Sequence, residues 1–189
     1  CGRREALTPV LSMYQLDSKR FREHLAPFAL SILIVLVDQI TKAVVVQQLQ
    51  PIYEGGPIIE VFGEFLRLIH ARNPGIAFSI GGTLPAGVRS LLFVLVPLIA
   101  MVAIALYAWR SDEFSTTQRW FIAGILGGGV GNIIDRIFRP AGVVDFVDVK
   151  FYGLFGMERW PTFNVADSSV VVCGILLILS MFIERSDHE

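Results

Sequence analysis

The chain has 189 residues, of which 53% are hydrophobic and 17% charged, with a mean hydropathy of +0.60. Soluble domains carry roughly a quarter charged residues, so this composition belongs to a membrane protein. With 16 basic and 17 acidic residues the net charge is −1, which leaves no basic excess for nucleic acid. The only cysteines, Cys1 and Cys173, supply neither a disulfide framework nor a thiolate metal site.

In chain order, residues 1–24 form a polar extension with an internal candidate start at Met13, residues 25–183 the membrane domain, and residues 184–189 a tail. Leu25 to Leu49 is long and apolar enough to span a bilayer. Asp38 and Lys42 interrupt it, and it is too long for a cleaved signal, so it is predicted to stay as an anchor. The segment 50–87 follows, in which Val61 to Ala71 alternates partially as a strand does, before the turn Asn73-Pro74-Gly75 and the pair Gly81 and Gly82. A second span, free of charge, lies between Arg89 and Arg110; Pro97 interrupts it where a membrane helix tolerates a kink. The third lies between Arg119 and Asp135. After it, segment 136–161 contains a second strand candidate, Val143 to Phe151, and the fourth span runs from Thr162 to Phe182.

Four spans put both termini on one side. Lys19, Arg20 and Arg22 precede the first helix, which usually dominates orientation, so the termini are predicted to be cytoplasmic and segments 50–87 and 136–161 to face outward. Arg67, Arg72, Arg136, Arg139, Lys150 and Arg159 lie in those outward segments and weaken the vote. The expected fold is an all-α membrane protein of four transmembrane helices with a small β-containing cap.

Charge at membrane depth is expensive and needs a partner or a function. Asp38 and Lys42, four residues apart on one helical face, are predicted to pair as a buried strut; Asp38 would hold the lysine charged, against a lysine-based hydrolase. Gly124, Gly127, Gly128 and Gly131 give two small-xxx-small registers for close helix packing. Asp135 and Arg139 share the spacing of an ion pair, and Arg136 is left to face head groups or a substrate.

Three acids remain. In an extended Val143 to Phe151, Asp145 falls on the apolar face with Val143 and Val147, where desolvation raises a carboxyl pKa. Asp148 falls on the other face with Lys150 and reads as a solvated residue. Asp167 sits in the opening turns of the fourth helix, where the helix dipole favours a carboxylate. Asp145 and Asp167 can form an aspartic-protease pair sharing one proton; as plain structure, they would be a strand-end cap and a helix cap. Other constellations are weaker. His24, His70 and His188 are scattered, Ser79, Ser168 and Ser169 lack a nucleophile signature, and no phosphate-binding glycine loop is present. A small proton-coupled transporter and a non-catalytic scaffold are the competing classes; a transporter would place polar groups at mid-membrane on several helices.

Five ordered blocks resemble the bacterial lipoprotein signal peptidase (signal peptidase II) family: Asp38-Gln39-Ile40-Thr41-Lys42, Asn73-Pro74-Gly75-Ile76-Ala77-Phe78-Ser79, Gly131-Asn132-Ile133-Ile134-Asp135-Arg136, Val143-Val144-Asp145-Phe146 and Phe163-Asn164-Val165-Ala166-Asp167-Ser168. The resemblance implies Asp145 and Asp167 as catalytic residues. It also implies Asp38, Lys42, Asn73, Gly75, Asn132, Arg136 and Asn164 as residues that bind substrate or brace the site. The implied substrate is a diacylglyceryl-modified prolipoprotein cut just before its lipidated cysteine, at the periplasmic face of the inner membrane. Membrane lipids would be the surroundings, a monomer the state, and no metal or cofactor would be needed. The N-terminal extension and the stretch Phe151 to Gly156 depart from the family pattern and bear on accessory contacts only.

Overall fold

The computed structural model describes residues 23–75 and 83–186. Met13, Ser79, Gly81, Gly82, His188 and the Ile76 to Ser79 part of the second block lie outside the described residues. The elements are α1 (Phe28–Gln48), β1 (Ile59–Phe62), β2 (Leu66–Asn73), a second span built of α2 (Ala86–Ser90), a π-helical turn (Leu91–Leu95) and α3 (Val96–Arg110), then α4 (Thr116–Phe138), β3 (Val143–Val149) and α5 (Val165–Ser186). Four helical stretches are long and apolar enough to cross a membrane. Their outward faces are apolar, as Ile32, Leu36, Ile40, Ile99 and Val171 show, which is the pattern of surfaces solvated by lipid.

Helix α4 is the central element and packs against α1, α3 and α5. Its glycines explain how. A Cβ at Gly124 would strike the Cys173 sulfur of α5, one at Gly128 the Ala166 carbonyl and Val170, one at Gly127 the Ser31 backbone of α1, and one at Gly129 the Met101 sulfur of α3. Hydroxyls reinforce the close approach: Ser31 donates to the Ala123 carbonyl (2.6 Å) and Ser169 to the Gly124 carbonyl (2.8 Å). The helix starts at a capping box in which the Ser115 hydroxyl accepts from the Gln118 amide and the Gln118 side chain from the Ser115 amide. Arg119, one turn on, is buried and donates to the Ala108 and Ser111 carbonyls, closing the C-terminal end of α3. It runs to Phe138, so Asn132, Asp135 and Arg136 lie inside the helix and not beyond its end. In the second span the irregularity precedes Pro97 as a widened turn over Leu91–Leu95.

The cap is an antiparallel sheet in the order β1-β2-β3. The single strand expected over Val61 to Ala71 is instead a hairpin, because Gly63 takes a left-handed φ of 50° and turns the chain between β1 and β2. Opposite Leu68–Ala71 the partners are Val147 and Asp145, so β2 carries one extra residue as a bulge. Gly142, at φ 103°, closes the turn from α4 into β3; any side chain there would meet the Asn73 carbonyl and the Pro74 nitrogen. Val45 of α1 and Leu49, which follows it, pack with Val144 and Phe146 and fasten the sheet to the helices.

The expected solvated Asp148 is a correction. It is buried and ion-paired with Arg67 (2.9 Å) and Arg159 (2.5 Å), while Lys150 pairs with Glu64 (2.5 Å). The alternation rule failed because both faces of β3 are covered: one by the helix ends, the other by β2's arginine and the returning chain at Arg159.

Candidate active site

Asp145 and Asp167 belong to different elements and line the same cavity, of about 640 Å³, with Asn73, Asn132, Trp160 and Phe163 among its walls. The return strand joins them. Phe163 pairs along the free edge of β3, its carbonyl accepting from the Phe146 (3.0 Å) and Val147 (2.9 Å) amides and its amide donating to the Val147 carbonyl (3.1 Å). This seats Asn164, fully buried, beside Asp145 immediately before α5 begins.

Asn164 then reaches both acids. Its Nδ2 donates to Asp145 Oδ1 (2.7 Å), its backbone N–H to Asp167 Oδ2 (3.2 Å), and its Oδ1 accepts from the Asp167 amide (2.9 Å). The reciprocal bonds with Asp167 are a capping box in which an Asn and an Asp satisfy each other's backbone donors at the helix start. Asp167 is therefore a helix cap and a cavity-lining acid at once. Asn132 donates to its other oxygen (2.7 Å), and Asn73 donates to Asp145 Oδ2 (3.2 Å). The side-chain Oδ1 of Asn73 accepts from the Gly75 amide (3.1 Å), which holds the Asn-Pro-Gly turn in place, and Arg136 donates to the Gly75 carbonyl (3.2 Å). The Asp145 carboxyl is raised to about 7, chiefly by burial and next by the neighbouring Asp167 charge, against the hydrogen bonds from Asn73 and Asn164.

Behind the pair lies an ionic network whose centre, Asp38, Lys42 and Asp135, is fully buried. Lys42 meets Asp38 at 2.8 Å and Asp135 at 3.3 Å, and Asp135 also pairs with Arg139. Gln39 donates to both acids, at 3.1 and 3.0 Å. The acids of the network also act on the site: Asp38 Oδ1 accepts from the Ala166 amide (3.0 Å), and Asp135 Oδ2, which also faces Lys42, from the Val144 amide (3.0 Å). Each structural acid thus grips the backbone one residue before a cavity acid. Lys42 also donates to Asn132 Oδ1 (3.0 Å), and Asn132 passes the polarisation on to Asp167.

All nine residues singled out from sequence meet at one end of the bundle. Asp145, Asp167, Asn73 and Asn132 face the cavity, Asn164 links its acids, Gly75 and Arg136 flank it, and Asp38 with Lys42 lies behind it. Sequence reasoning missed Gln39, the reach of Asp135 to β3, and Trp160 in the wall. Gln39 carried one signal, a polar residue next to a buried acid inside an apolar span. Among the described residues no group of three or more His, Cys, Asp and Glu could hold a metal ion. His70 is buried, with Nδ1 donating to the Leu49 carbonyl (2.7 Å).

The family model described as signal peptidase (SPase) II matches residues 30–183. A lipoprotein signal peptidase of Treponema pallidum (strain Nichols) is 44% identical over 166 residues, 88% of each chain. One of Treponema denticola is 45% identical over 163 residues, 86% of this chain and 92% of that one. A bacterial membrane enzyme solved by the in meso method at 2.3 Å superposes with a TM-score of 0.72 at 27% identity, covering 87% of this chain and 92% of that one. Because the matches run through all four spans and the cap that carries the acids, this chain belongs to the signal peptidase II family of multi-pass membrane peptidases.

Proposed function

We propose that the chain is an aspartic endopeptidase that removes the signal peptide from diacylglyceryl-modified prolipoproteins, cutting just before the lipidated cysteine, with Asp145 and Asp167 as the catalytic pair. The observation that carries this is Asn164 bonded to both carboxyls over one cavity. Two acids so placed share one proton. The buried Asp145, which holds its proton to about 7, suits the donor; Asp167, fed by the Lys42–Asn132 relay, suits the base. Asp167 takes a proton from water, the hydroxide adds to the scissile carbonyl carbon, and Asp145 gives its proton to the carbonyl oxygen. Collapse of the tetrahedral diol breaks the C–N bond as Asp167 gives its proton to the leaving amine and Asp145 takes one back from a diol hydroxyl. The pair, not either member, sets the apparent titration.

Residues 25–183 form the peptidase unit in this reading, in the inner membrane with termini cytoplasmic and the site at the periplasmic face. Val170 and Val171 carry the cavity toward the lipid-facing side of α5, where the diacylglyceryl group can lie while the bilayer itself confines the scissile bond near the acids. The transporter alternative finds no support, since the polar groups gather at the capped end. Replacing either acid, Asp145→Asn or Asp167→Asn, should lower cleavage of a lipidated substrate in nanodiscs by at least about a thousandfold. Normal cleavage by either variant, with its melting behaviour intact, would overturn the assignment.

A further inference from the structure

A second cavity, of about 240 Å³, opens on the other side of Asn73. Its polar walls are guanidinium groups from two elements: Arg89 from the start of the second span, and Arg136 and Arg139 from the end of α4. Their charges are unevenly answered. Asp38 and Asp135 balance Lys42 and Arg139 within the buried network, and Arg136 has the catalytic pair within range of charge attraction. Arg89 has no acidic partner among the described residues, and its Nε is buried without any hydrogen-bond acceptor. A buried guanidinium N–H left unbonded is costly, and a planar guanidinium edge is shaped for two oxygens of a phosphate.

Apart from Asn73 and Ser90, the remaining wall is apolar. Phe93, buried, and Val94 come from the π-helical turn, whose other residues Leu91, Leu92 and Leu95 are exposed on the face that meets lipid. The cavity is thus cationic at its inner end and opens beside acyl-chain territory, at the level where the helices meet the cap. We propose that it seats the phosphate diester of an anionic membrane phospholipid, with Arg89 as the principal ligand, Arg136 as the second, and the first acyl methylenes against Phe93. The apolar wall is what favours a lipid over free phosphate. The site does not depend on the roles given to Asp145 and Asp167. A lipid held there would brace the Asn73-Pro74 corner, whose Asn73 lines both cavities.

The test uses the full chain in a neutral detergent, with bound ligand read by native mass spectrometry. Three probes are compared: short-chain phosphatidylglycerol, diacylglycerol of the same chains, and inorganic phosphate. Phosphatidylglycerol should be retained at least about tenfold more tightly than diacylglycerol, and Arg89→Gln should remove about that factor while Arg89→Lys keeps part of it. Arg89→Gln should still cleave lipidated substrate in detergent at the parent rate, which shows an intact fold. Equal retention of phosphatidylglycerol and diacylglycerol, or a folded Arg89→Gln that binds like the parent, would overturn the site. Inorganic phosphate binding as tightly as the lipid would overturn its lipid character. The comparison of the three probes on the parent protein stands even if the variant does not fold.

Discussion

Asn73→Ala should move the alkaline limb of the pH–rate profile upward. Asn73 donates to Asp145 Oδ2 at 3.2 Å, a bond that favours the ionised carboxylate, and it opposes the burial and the Asp167 charge that raise this carboxyl to about 7. Hydrogen bonds to charged groups contribute about 1.5–3 kcal/mol, and the length of this one argues for the low end. Roughly 1.5 kcal/mol corresponds to about one pH unit. Removing the donor disfavours the charged form, so Asp145 keeps its proton to a higher pH. For the parent, activity one unit above the limb should be about a tenth of its plateau; for Asn73→Ala at that same pH it should be about half. The assay is kcat/KM for a lipidated peptide across pH in nanodiscs, each variant normalised to its own plateau so that lost positioning does not masquerade as a shift. A limb that stays in place, or moves toward acid, would refute both the assignment of that limb to the Asp145–Asp167 pair and the role of Asn73 in stabilising its charged form.

The same carboxyl predicts a stability trend: its proton is lost near 3.8 in the open chain and near 7 in the fold, so its contribution is full below 3.8 and fades as pH rises to about 7. Up to about 4 kcal/mol should be lost across that window, and a melting series should show this decline in the parent but not in Asp145→Asn. Lys42→Met strands Asp38 and Asp135, both fully buried, without their shared cation; thermal melting should report about 3–5 kcal/mol of destabilisation, and an unchanged melting point would discredit the strut. Gly124→Ala places a methyl group on the Cys173 sulfur and should cost about 1–3 kcal/mol, largely restored by adding Cys173→Ala. Gly128→Ala meets the Ala166 carbonyl instead, so Cys173→Ala should leave its loss unrelieved.

The four spans, the Asp38–Lys42 and Asp135–Arg139 pairs and the glycine packing faces were legible in the sequence, because each follows from local rules: the length of an apolar run, the spacing of residues around one helix, and the absence of a Cβ. So was the apolar setting of Asp145. Asp148 was misread because period-two reasoning assumes one face in water, and β3 has none; which arginines would cover it depends on chain far away in sequence, at Arg67 and Arg159. The β1–β2 hairpin went unseen because one glycine's dihedral angle, not the hydrophobic pattern, breaks the strand. What tertiary structure alone decided is the meeting of residues 145 and 167: their approach rests on Phe163 pairing along β3 and on Asn164 bonding across it, contacts whose partners are set by folding in three dimensions and leave no periodicity in the chain.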